Sequence, residues 1–144
     1  PVAIEARRAG CRFLLDFAEF GLNFTLGGVA ATQETIDTRP DLVRHFVRAY
    51  VAGMHRYKTD RAFTMSVQQE YSGITDSAIA EETYAITEPG FPRAPYPVTS
   101  GLEILLETLA IDDARASSID AHELIDDRWV RELDASGWID RLYA

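Results

Sequence analysis

The chain has 144 residues, 47% of them hydrophobic and 26% charged, which is enough for one domain with a real core and too apolar for a disordered segment. A net charge of −9, with arginines scattered along the chain, argues against a non-specific nucleic-acid binder, which needs clustered Lys and Arg to neutralise phosphates. One cysteine, Cys11, excludes an intrachain disulfide and a cysteine-cluster metal site, and no apolar run approaches the ~20 residues of a membrane span.

In chain order, residues 2–9 read as the end of a helix, with Gly10 suited to a left-handed C-terminal cap. The opening Pro1 to Ala9 shows neither an initiator Met nor a signal-peptide pattern, so the expectation is a fragment of a protein that begins upstream. Two short apolar runs follow, residues 13–17 and 24–31, joined by residues 18–23. Both are rich in Phe, Leu and Val and bounded by Gly10, Gly21 and a polar tail, which predicts strands. This strand–crossing–strand unit is the expected sheet component, and its connection the expected ligand-facing backbone.

The remainder predicts helices. Residues 32–38 fit a short one. Pro40 suits a first helical turn and Asp41 the positive end of its dipole. From Pro40 to about Tyr57, the residues Leu42, Val43, Phe46, Val47, Tyr50, Val51 and Met54 repeat at helical spacing. Asp60 is placed to cap a helix over 60–71 with Phe63, Val67 and Tyr71 inward, and Asp76 to cap one carrying Ile79, Thr83 and Ile86. Residues 88–98, with Pro89, Pro92, Pro95 and Pro97, predict an extended connector anchored by Phe91 and Tyr96. Ser100 and Glu103 have the spacing of a capping box ahead of Leu102, Leu105, Leu106 and Leu109. Asp120 and Glu123 repeat that spacing. Asp126 and Asp127 open a last short helix, Gly137 ends it, and Trp138, Ile139, Leu142 and Tyr143 form a tail expected to dock on the body.

Chemistry is sparse. His45, His55 and His122 lie in no metal-ligand spacing, and solvated helix faces account for them. Cys11 has no histidine placed by sequence to activate it, and packing is the simpler role. The pairs Asp112-Asp113 and Asp126-Asp127 read as caps or solvated charge. Ser66, Ser72 and Ser100 sit in no nucleophile elbow, and Gly27-Gly28 lacks the spacing of a phosphate loop. Phe17, Phe20 and Phe24 read first as packing. The stretch Phe20-Gly21-Leu22-Asn23 differs, because an aromatic ring and an amide in a connector supply an apolar wall and a directional hydrogen bond.

Three segments resemble a known family: the opening PVAIEARRAGCRFLLD, then VAATQETI followed by RPDLVRHFVRAYVAGMHRYKTD, and the ending IDDRWVRELDASGWIDRLY. Their order and length are similar to the C-terminal part of ABC-transporter substrate-binding proteins of the nitrate/sulfonate/taurine and thiamine-pyrimidine-precursor type. The resemblance implies an α/β chain, the C-terminal portion of a two-lobed periplasmic-binding-protein (type II) fold, mostly helical here with a few strands. It implies that residues 1–20 end the second lobe and start the hinge, and that 21–144 form the C-terminal part of the first lobe with its packing helices and tail. Phe20, Asn23 and Thr25 carry over as ligand contacts near the hinge, with Arg12 or Arg39 available as donors to an anion. The implied protein is not an enzyme and has no cofactor or metal. It binds a small molecule between its lobes outside the cytoplasm and delivers it to a membrane permease, with no membrane insertion and no nucleic acid. The N-terminal half is missing, so this chain is expected to pair with that half or with a copy of itself. A pyrimidine-precursor synthase-like enzyme and a ligand-sensing interaction domain are the alternatives on the same fold.

Overall fold

The computed structural model describes residues 1–15 and 27–144. Eight α-helices are found among them: α1 (Val2–Arg8), α2 (Gln33–Thr38), α3 (Pro40–Thr59), α4 (Arg61–Ser72), α5 (Ser77–Thr87), α6 (Thr99–Leu109), α7 (Arg128–Ala135) and α8 (Trp138–Leu142). Short 3-10 turns occupy Glu88–Gly90, Ala114–Ser118 and Ala121–Leu124. No strand is present among the described residues, which form a small all-helical domain.

This overturns the expected α/β class and, with it, the type II fold with a few strands. The described parts of the two apolar runs, residues 13–15 and 27–31, are exposed and carry no strand, Leu14 being 96% exposed. A strand is stable only within a ladder, and a short apolar run by itself does not distinguish a strand from another apolar segment. Phe13, Leu14, Leu15 and Val29 have apolar side chains but no sheet to join among the described residues.

α3 is the axis of the domain. Pro40 lies in its first turn with Asp41, and Arg56 and Lys58 lie in its last, so both ends complement the helix dipole. α4, α7, α8 and α2 all contact it. Against its middle, Val51, Leu133 of α7 and Ile139 of α8 form a buried cluster, with Val47, Trp138, Leu142 and Tyr143 around it. Full burial of such aliphatic side chains stabilises by roughly 1.5–3 kcal/mol each. Gly137, at φ +67, turns the chain from α7 into α8 and lets the tail fold back as its apolar residues require.

A second cluster lies between α1 and α5: Ile4, Ile74, Ile79 and Ala80, with Met65 of α4 against it. Local caps set these elements. Asp60 accepts the Phe63 amide at 3.1 Å to start α4, and Asp76 accepts those of Ala78 and Ile79 at 2.8 and 3.2 Å to start α5. Gly73, at φ +70, closes α4. Arg8 joins Asp76 at 2.8 Å, and Arg7 pairs with Glu82, so α1 is held to α5 by charge as well as by Ile4.

Several inward assignments are corrected. Phe63 is 40% exposed and Tyr71 84%. α4 meets α3 through Thr64 instead, whose hydroxyl donates to the Tyr57 carbonyl at 3.0 Å. That bond satisfies the hydroxyl and allows the helices to approach closely, leaving the larger rings at the edge. Ser100 does not cap α6 either: the helix begins at Thr99 with Val98 at the cap position and no side-chain cap bond.

Candidate functional site

The three expected ligand contacts, Phe20, Asn23 and Thr25, lie outside the described residues. Their described flanks, residues 13–15 and 27–31, are exposed. Arg12 is exposed, and Arg39 is the cap residue of α3.

The titratable candidates are dispersed. His45 is exposed on α3. His55 lies edge-on to Tyr143, ring centroids 4.7 Å apart, and His122 sits in the turn capped by Asp120. No group of three His, Cys, Asp or Glu side chains able to hold a metal occurs among the described residues. Cys11 is exposed. Asp113 accepts the Arg115 guanidinium and its backbone amide, and this holds its carboxyl below the usual carboxylate range. Asp126 is lowered in the same way by Arg128, and Asp127 pairs with Arg131. These acids are neutralised by neighbours within a turn and are not poised as a proton-sharing pair. The Ser66 hydroxyl donates to the Phe63 carbonyl at 2.8 Å, and that of Ser72 to the Gln68 carbonyl, so both are turned onto their own helix.

What the helices do assemble is an apolar surface. Leu42, Phe46 and Tyr50 succeed one another at one-turn spacing along α3 and remain 45%, 50% and 40% exposed, the last two rings stacked at 6.4 Å. Where α4 joins α3 the face continues into a cleft of about 190 Å³, lined by Gly53, Tyr57, Phe63, Thr64, Val67 and Gln68. Gly53 forms open floor, since a Cβ there would meet nothing within 4 Å. The Arg56 guanidinium covers the Phe63 ring at 3.5 Å. The Gln68 Oε1 atom is buried without a partner among the described residues. A second, shallower cleft of about 370 Å³ lies between α6 and the turn after it, with Leu106, Leu109 and Ile119 beside the Asp113–Arg115 pair. Surfaces of this kind take up apolar groups.

Sequence periodicity placed Leu42, Phe46 and Tyr50 on the buried stripe of α3, and the exposed face went unrecognised for that reason. The signal available was the width of the stripe: seven apolar residues cover more of the helix than one neighbouring layer can bury. No helix among the described residues is long and apolar enough to cross a membrane. Comparison with protein-family models, characterised proteins and solved structures gives no match.

Proposed function

We propose that the chain is the helical part of a solute-binding component of an importer, binding a small organic or anionic molecule outside the cytoplasm for delivery to a membrane permease. The observation that carries this reading is the open apolar face of α3 and α4, through Leu42, Phe46, Tyr50 and Phe63. Helices with one side buried in their own domain and a second apolar side uncovered are suited to be one layer of a larger body. The segments that line this face, from Arg39 to Asp60, also carry the strongest resemblance to importer binding proteins. In this role the chain performs no catalysis. It pairs with another chain or with a copy of itself through the uncovered face, and Phe20, Asn23 and Thr25 contribute to ligand contact.

Two measurements test it in sequence. Light scattering is expected to show a species heavier than the 16.1 kDa monomer, and a compact monomer sinks the pairing. Thermal melting of the assembled form with sulfonates, nitrate, bicarbonate and pyrimidines is then expected to give, for one class, a Tm that climbs with ligand concentration. A flat response to all four classes removes solute binding as the function.

A further inference from the structure

Of the 14 Lys and Arg residues in the chain, Lys58 alone is a lysine. Its side chain is 18% exposed and its ammonium has three acceptors: a Glu88 carboxylate oxygen at 2.6 Å, the Glu88 carbonyl at 3.2 Å and the Phe91 carbonyl at 2.9 Å. An ammonium has three N–H groups that rotate together on a compact point charge, and the site matches that number. A guanidinium is a planar fork and does not fit three acceptors converging on one atom.

The acceptors belong to the start of the proline-rich connector, residues 88–98. Beside them Tyr57 completes the joint. Its hydroxyl is 2.6 Å from that of Thr87, and its ring stands 4.8 Å from Phe91 and 5.6 Å from Tyr84. The Tyr84 hydroxyl reaches the Tyr57 and Lys58 carbonyls at 3.4 and 3.3 Å. Further along, Arg93 pairs with Asp140 at 3.3 Å and lies 4.4 Å over the Tyr143 ring. Ala94 packs on the Val51 cluster, and the Tyr96 hydroxyl donates to Asp134 at 2.8 Å. The connector thus leaves α5, which belongs to the Ile4–Ile79 cluster, and fastens to α7 and α8, which belong to the Val51–Ile139 cluster.

We propose that residues 88–98 are a strap coupling the two apolar clusters and that Lys58 is its catch. Beyond its opening 3-10 turn, Pro92, Pro95 and Pro97 prevent the strap from forming an α-helix, so its position depends on these tertiary bonds. With the ammonium in place, two carbonyls and a carboxylate share one cation, and the clusters open as one cooperative unit. Without it, the Glu88 carboxylate and the Phe91 carbonyl lose their partner and the Glu88 carbonyl keeps only the Phe91 amide, so the strap lifts locally and α1 and α5 loosen ahead of α7 and α8. The device is independent of solute binding.

Native-state hydrogen exchange on wild type, Lys58→Met and Lys58→Arg tests it. Lys58→Met is expected to speed exchange at the Phe91 amide and in α5 by about tenfold or more while α7 and α8 stay within about twofold. Lys58→Arg keeps the charge and is expected to restore less than half of the lost protection. Unchanged exchange at Phe91, an equal rise in both clusters, or full rescue by arginine overturns the proposal. Should Lys58→Met not fold, the wild type decides alone: acetic anhydride is expected to acylate the Lys58 amine at least about tenfold more slowly in the native chain than in urea. Equal rates overturn the catch.

Discussion

α6 and the pair α7–α8 make opposite use of similar material. α6 is rich in aliphatic residues, with Leu102, Ile104, Leu105, Leu106 and Leu109, yet only Gly101 is buried in it. Among the described residues its main element contacts are with the two 3-10 turns that follow it. α7 and α8 are short and heavily charged, but Val130, Leu133 and Ile139 are buried, because both helices fold back onto α3 across most of the chain's length. Apolar content alone does not produce a core. A side chain contributes when an element distant in sequence supplies the opposite wall.

The largest test of that contrast is Ile139→Ala. At 2% exposure, between Val51 and Leu133, it is expected to lower stability by about 2–4 kcal/mol in urea unfolding. Leu106→Ala on half-buried α6 removes a side chain of the same size and is expected to cost less than about 1 kcal/mol. Equal losses for the two would show that α6 is covered in solution, and the contrast would fail.

Smaller effects come from single polar contacts. The Ile79 and Ala78 amides, and then Arg8, hold the Asp76 carboxyl below its usual range. A depressed carboxylate pKa gives stability that is complete above the ordinary value of about 3.9 and is lost as pH falls through the lower folded value. Asp76→Ala should therefore remove part of the acid-side slope of Tm against pH, with its deficit greatest above pH 5; identical profiles for variant and wild type would exclude that role. The smallest effect is at the alkaline end. The bond to Asp134 pushes the Tyr96 hydroxyl up, so its contribution is complete below about pH 10 and fades as pH rises through the raised value. Tyr96→Phe is expected to lower Tm slightly near neutrality and to converge with wild type at high pH, whereas a constant gap would point to lost packing.

Much of this arrangement was legible in the residues. Asp60 and Asp76 cap α4 and α5 as their positions foretell, because a cap is a contact with the next two or three amides. The start of α3 at Pro40 and the docking of Trp138, Ile139 and Leu142 also follow from the pattern. The exposed side of α3 did not, since Leu42, Phe46 and Tyr50 share helical spacing with Val47, Val51 and Met54, and spacing does not rank two apolar sides. Lys58 left no pattern at all: its acceptors lie about thirty residues on, in carbonyls that any sequence carries. The strands over 13–17 and 24–31 failed where described, and Phe20, Asn23 and Thr25 rest on the resemblance.

Two of the ion pairs repeat one small design: Asp113 with Arg115 and Asp126 with Arg128, each aspartate also taking the arginine's own amide. Such a contact closes within three residues and needs no tertiary fold, so part of it persists in the denatured chain. A contact present on both sides of the folding equilibrium cancels from it, however well formed it is in the native state. The Asp76–Arg8 link differs, because its partners lie 68 residues apart and lose one another on unfolding, so it adds to the acid limb beside the larger effect of the Ile79 and Ala78 amides. The two local pairs act instead as pre-set corners, narrowing the paths the chain explores as it collapses.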